Sequence, residues 1–126
     1  MRVGALKLKL QFVCGNSFAI GPGKADILTA IDREGSISAA GRAMGMSYRR
    51  IWLLVDEMNR CFRDPLVATH PGGGSDRGAT LTDCGRQVLA AFRALEQQSA
   101  TLLDTAAYRD LGEWVRAEPL PPKSAD

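Results

Sequence analysis

The amino-acid sequence predicts a mostly α fold with a small β-sheet, and three observations predict it. Apolar and polar residues alternate at the start of the chain, helical periodicity fills most of the first half, and a glycine-rich break separates two short strand-like runs before a last helical stretch. With 126 residues, 45% hydrophobic and 24% charged, the chain has the size and composition of a single domain over 1–126. No run approaches the roughly 20 apolar residues that span a bilayer. Arg2, Lys7 and Lys9 interrupt the N-terminal apolar runs, which does not fit a secretion signal, so a cytoplasmic location and no membrane partner are expected.

Residues 5–13 place Leu6, Leu8, Leu10 and Phe12 on one side and Lys7, Lys9 and Gln11 on the other, the pattern of a half-buried strand. Gly15-Asn16-Ser17 breaks it, and Gly21-Pro22-Gly23 introduces a helix from Lys24. Ile27, Leu28 and Ile31 share a face of that helix, and Gly35 is placed as its C-terminal cap. Ser36 is the natural N-cap of a second helix, Ile37 to Met44, whose Ala39, Ala40 and Ala43 let a neighbour approach closely. Gly45 ends it. Ser47 caps a third helix reaching about Phe62, with Ile51, Leu54, Val55, Met58 and Phe62 on one face, and Asp64-Pro65 stops it.

Leu66–Thr69 and Ala79–Thr82 read as two strands of a hairpin whose connection, residues 70–78, is too glycine-rich for regular structure. The last large element is a helix over about 83–106. Val88, Phe92, Leu95, Leu102 and Ala106 form a seam on it suited to helix-to-helix packing, against a partner subunit or against the first half of the same chain. The tail, 115–126, holds Pro119, Pro121 and Pro122 and is expected to fray.

Two helices joined by a short glycine-containing turn over about 36–62, followed by a hairpin over about 66–82, make a winged helix-turn-helix with a long C-terminal dimerisation helix. In such a unit the second helix puts its first turn into the major groove of DNA. Tyr48, Arg49 and Arg50 occupy that turn. A helix start offers free N–H groups and a positive dipole end to phosphate, and arginine can read guanine through O6 and N7. Ser36 and Ser47 are caps that can also touch phosphate, and Arg77 in the wing can reach the backbone or the minor groove. Trp52, at the flank of the third helix, reads as a packing residue, and Asp56 and Glu57 would repel phosphate, lifting the later turns away from the duplex.

Other chemistries find little support. Cys14, Cys61 and Cys84 are odd in number and far apart in sequence, so they read as small buried or half-buried residues and not as a disulfide frame. The single His70 has no neighbouring ligand pair for a metal. Gly23-Lys24 is followed by Ala25 and preceded by Phe18 where a phosphate loop needs Ser or Thr and glycine; Gly72-Gly73-Gly74 has no following lysine. No nucleophile elbow accompanies His70. No cofactor and no catalysis are expected. The net charge of +2 is compatible with nucleic acid, but what decides is where the positive charges gather.

The runs Gly35-Ser36-Ile37-Ser38-Ala39-Ala40, Gly45-Met46-Ser47-Tyr48-Arg49-Arg50-Ile51-Trp52 and Asp56-Glu57-Met58-Asn59 resemble the DNA-binding domain of the ModE family, molybdate-responsive bacterial regulators related in this part to LysR-type regulators. Leu66-Val67, Pro71-Gly72-Gly73-Gly74, Gly78-Ala79-Thr80-Leu81-Thr82 and Gly85 resemble that family's wing and the entry to its long helix; the likeness covers roughly residues 5–105. The resemblance implies a sequence-specific duplex-DNA-binding regulator of molybdenum-related or similar bacterial genes, acting as a homodimer on a palindromic operator. The dimer is expected through Val88, Phe92, Leu95 and Leu102 of the long helix. Family members that sense molybdate carry further β-barrel domains, which this sequence does not contain. A standalone member, a fragment, or the DNA-binding partner of a separate sensor protein are the arrangements this leaves. Two alternatives keep the fold and change the role: a protein-interaction adaptor using the long helix, and an oxyanion-responsive sensor using the glycine wing as an anion nest.

Overall fold

In the computed structural model, which describes residues 2–71 and 78–124, two short hairpins stand where the alternation predicts one strand. Strand β1 (Arg2–Val3) pairs antiparallel with β2 (Leu6–Lys7), and β3 (Phe12–Cys14) pairs antiparallel with β4 (Ser17–Ile20). The two-residue turns Gly4-Ala5 and Gly15-Asn16 close each hairpin locally, and residues 8–11 between them join no ladder. The period of two survives in burial: Leu6, Leu8 and Leu10 are half-buried, Lys7 and Lys9 exposed. Phe12 departs from that pattern and is 53% exposed.

Helix α1 (Pro22–Glu34) starts two residues ahead of the predicted Lys24, because proline is well tolerated at the first helical position. Its end is the expected one, with the Gly35 N–H donating to the Ile31 carbonyl at 2.9 Å. Helices α2 (Ile37–Ala43) and α3 (Tyr48–Cys61) follow, then β5 (Val67–His70), β6 (Gly78–Leu81) and α4 (Asp83–Gln98). The two wing strands run antiparallel, from Val67 opposite Leu81 to His70 opposite Gly78. Each lies one residue off the predicted span. Leu66 is outside the ladder because its N–H donates to Asn59 and its carbonyl accepts from the Thr82 N–H, and the Thr82 side chain is spent on capping α4.

Helix α1 lies at the centre, touching α2, α3, α4, β4 and β6. The core comprises Ile27, Leu28 and Ile31 of α1, Ile51 and Met58 of α3, and Leu66, all fully buried, with Phe92 of α4 closing it. Each such side chain contributes about 1.5–3 kcal/mol on leaving water, so the helices hold together through this cluster more than through surface ion pairs such as Arg93–Asp26 between α4 and α1.

The seam on the last helix divides. The helical run covers Asp83–Asp104, but it is α only to Gln98 and tightens to a 3₁₀ helix over Ser99–Asp104. Ser99 and Thr101 there turn their hydroxyls back onto the carbonyls of Glu96 and Gln98, the local bonding with which short hydroxyl side chains disturb a helix. Ala106, read as the end of the seam, instead begins a separate helix α5 (Ala106–Trp114), capped by Thr105, whose hydroxyl accepts the Tyr108 N–H at 3.2 Å. Phe92 is only 3% exposed and belongs to this chain's own core, so it is not available to a partner; Val88 packs beside that core, half-buried. Leu95 and Leu102 remain 37% and 45% exposed. Cys14 is also corrected: it lies exposed on the second hairpin, whereas Cys61 and Cys84 are half-buried. Residues 115–124 form no helix or strand and are exposed. Among the described residues no helix is long and apolar enough to cross a membrane.

Candidate nucleic-acid interface

The turn between α2 and α3 is set by local chemistry. The Ser36 hydroxyl accepts the Ala39 N–H at 3.0 Å and starts α2. The Met46 N–H donates to the Gly41 carbonyl at 2.8 Å, folding the chain back against the end of α2. Gly45 makes that reversal at φ +68°, a conformation that a Cβ penalises. Ser47 then starts α3, its hydroxyl accepting the Arg50 N–H at 3.2 Å.

Ile51, Val55 and Met58 turn one side of α3 into the core, which fixes what the other side shows. Tyr48 is 57% exposed, Trp52 45% and Leu53 48%, and Ser47, Arg49 and Arg50 are exposed beside them. The predicted residues Ser47, Tyr48, Arg49 and Arg50 therefore come together on one outward-facing helix start. Trp52, expected to pack, stands one turn behind Tyr48 on the open surface. Ser36 does not join them. It is 7% exposed and its oxygen is engaged as a cap, so the phosphate role expected of it is replaced by a structural one. Arg77, with residues 72–77 of the wing, lies outside the described residues.

Both carboxylates of α3 are paired. Asp56 accepts from Arg60 one turn on at 3.0 Å. Glu57 accepts from Lys24 of α1, whose side chain is 10% exposed and donates as well to the Phe18 carbonyl. The Lys24 ammonium holds the Glu57 carboxyl below the usual carboxylate range, against the desolvation that acts to raise it. Sequence reasoning weighed Lys24 as a helix start and as a phosphate-loop lysine but missed its pairing with Glu57; the signal was a lysine on the apolar side of the first helix.

The hairpin of β5 and β6 is bound to α3 through Asn59. Its Oδ1 accepts the N–H groups of Leu66 and Val67 at 2.8 and 3.1 Å, and its Nδ2 donates to the Val67 carbonyl at 3.2 Å. The second strand is tied elsewhere, the Ala79 N–H donating to the Gly35 carbonyl at 2.8 Å between α1 and α2. At the base of the wing Thr82 caps α4, its hydroxyl donating to the Pro65 carbonyl and accepting the Gly85 N–H at 2.9 Å. A Cβ on Gly85 would lie 2.1 Å from the Leu66 carbonyl oxygen, so only glycine lets α4 start this close to the wing.

A helical pair with a three-residue core contact, a capped and cationic second helix and a hairpin fastened behind it is the arrangement of DNA-binding regulatory domains. The family described as bacterial regulatory helix-turn-helix proteins of the lysR family matches residues 24–86, from the first turn of α1 to the first turn of α4. The chain belongs to that family. This LysR-family chain is 41% identical over 83 residues to the molybdenum transport protein ModE of Azotobacter vinelandii and 42% identical over 86 residues to the molybdenum-pterin-binding protein MopB of Rhodobacter capsulatus. It is 30% identical over 105 residues to the DNA-binding transcriptional dual regulator ModE of Escherichia coli K12. These matches cover 66%, 68% and 83% of this chain but 31%, 32% and 38% of the relatives, so the chain spans about a third of their length. Within the LysR family its helix-turn-helix is thus ModE-like.

Proposed function

We propose that the chain regulates transcription by binding duplex DNA in a sequence-specific manner, with the first turn of α3 in the major groove. The observation that carries this reading is the exposed group Tyr48, Arg49 and Arg50 at the start of a helix whose opposite side is locked into the core. Arg49 and Arg50 reach base edges, Ser47 and Arg77 hold phosphates, and Tyr48 packs on the groove wall. The names of the relatives support operators of molybdenum-related genes as the targets.

The reading includes a homodimer. Leu95 and Leu102 are exposed on the last helical run, and beside Leu95 lies an open apolar groove of about 460 Å³ lined also by Phe12, Ile20, Phe62 and Val88.

 Two-fold pairing across this face sets two copies of α3 about one DNA turn, roughly 34–36 Å, or a multiple of it apart.

Fluorescence anisotropy with duplex from the chain's own upstream region and a scrambled duplex, across a salt series, tests the reading. Tighter binding to the first, weakening steeply with salt, is the expected result. Replacing Arg49 and Arg50 together by alanine is expected to remove the preference, since each bidentate arginine is worth about 1–3 kcal/mol of discrimination. Equal, weak binding to both duplexes by the unaltered protein overturns sequence-specific recognition.

A further inference from the structure

Two of the three cysteines, distant in sequence, are brought together where the second hairpin meets the end of α3. That hairpin packs on α3 through β4. Its register sets Cys14 opposite Ser17, and Ser17 is, after Lys24, one of the groups that hold the Glu57 carboxyl of α3 low. Cys61 ends α3 one turn beyond Glu57, and residues four apart share a helix face. The chain therefore carries the two thiols to the same place from two separate elements, close enough for the Cys14 thiol to act on that of Cys61. Both ends are held by their own elements: Cys14 by the β3–β4 ladder, Cys61 by a helix whose last turn is clamped through Asn59. Cys84 is elsewhere, packed against the core in the first turn of α4.

We propose that Cys14 and Cys61 are a dithiol that closes to an intramolecular disulfide by exchange with a low-molecular-weight disulfide, fastening the hairpin to the end of α3. The exposed Cys14, as thiolate, attacks one sulfur of the incoming disulfide; a mixed disulfide forms and one small thiolate leaves. Cys61, as thiolate, then attacks the Cys14 sulfur, and the second small thiolate leaves. The two protons lost by the cysteines end on the two small thiols, and the protein is oxidised by two electrons as the small disulfide is reduced. Burial, then the neighbouring Cys14 thiol, push the Cys61 thiol up, so the exposed Cys14 makes the first attack and Cys61 follows once the mixed disulfide lies beside it. The pair's chemistry does not depend on the chain binding DNA.

The test uses the full chain carrying Cys84→Ser, folded as judged by circular dichroism, incubated with oxidised glutathione and mapped by mass spectrometry without reduction. The expected product has lost two hydrogen atoms, links the peptides that contain Cys14 and Cys61, blocks both thiols to maleimide, and reverts with dithiothreitol. With Cys61→Ser added, the reaction is expected to stop at glutathione on Cys14; Cys61→Ala serves the same purpose should the serine variant fold poorly. A stable glutathione adduct on Cys14 beside a free Cys61 in the parent protein overturns the proposal. So does a disulfide between two chains, or no reaction at either thiol.

Discussion

Asn59 stands apart from the exposed first turn of α3, yet it joins the two parts of the interface. Three hydrogen bonds link it to the backbone of Leu66 and Val67. Asn59→Ala strands two N–H donors in a half-buried setting and is expected to cost about 2–3 kcal/mol in urea unfolding. Asn59→Asp keeps both acceptor bonds and is expected to lose less. Lys24 and Glu57 are a second such pair, and here the sign with pH can be worked out. The folded-state pKa of Glu57 is depressed, chiefly by its bond to Lys24. The pair's stabilisation is therefore fully present above the ordinary carboxylate range and is lost as pH falls through the lower, folded value. Thermal unfolding followed against pH is expected to show a shallower acid-side decline for Glu57→Gln than for the parent, together with a lower midpoint near neutrality.

At the scale of elements, the helices were legible because their signals are local. Gly35, Ser36 and Ser47 mark where α1 stops and α2 and α3 start, each through the cap its type suggests, while Gly45 makes the reversal one residue past Met44, the cap of α2. The exposure of the first turn of α3 was legible for the same reason: Tyr48, Arg49 and Arg50 follow a cap, and Ile51 anchors the face behind them. What could not be read depends on the rest of the molecule. Alternation over residues 5–13 encodes one-sided burial but not where a ladder breaks, hence two hairpins. Ser36 and Ser47 are alike as caps in sequence; only the packing of α1 and α2 around the first buries it. Helix α5 was missed although Thr105 followed by Ala106 and Ala107 is a start signal of the same kind. The junction of wing and α4 is a sharper test of packing. Gly85→Ala sets a methyl group against the Leu66 carbonyl and is expected to cost about 3 kcal/mol, the upper part of the range for overpacking, seen as a lower urea midpoint.

For the whole molecule, the balance of positive and negative charge says little, because a net charge of +2 conceals where the cations stand. Lys24, Arg60 and Arg93 are paired within the fold, whereas Arg49 and Arg50 are exposed on the reading turn. The proposed dimer makes its own prediction at this scale. Leu95→Glu with Leu102→Glu is expected to give monomers in sedimentation velocity with an unchanged circular dichroism spectrum, and to weaken binding to a two-half-site duplex much more than to a single half-site. A dimer that persists in this variant would place the subunit contact elsewhere. The attachments of the wing carry one more consequence. Its first strand hangs from α3 through Asn59 and its second from the Gly35 carbonyl. In a complex with DNA the hairpin and the reading helix would therefore grip as the jaws of a caliper, set to one opening. On the proposed function such a protein would gauge the duplex as well as read it, and a correct sequence on a groove of the wrong width would be refused.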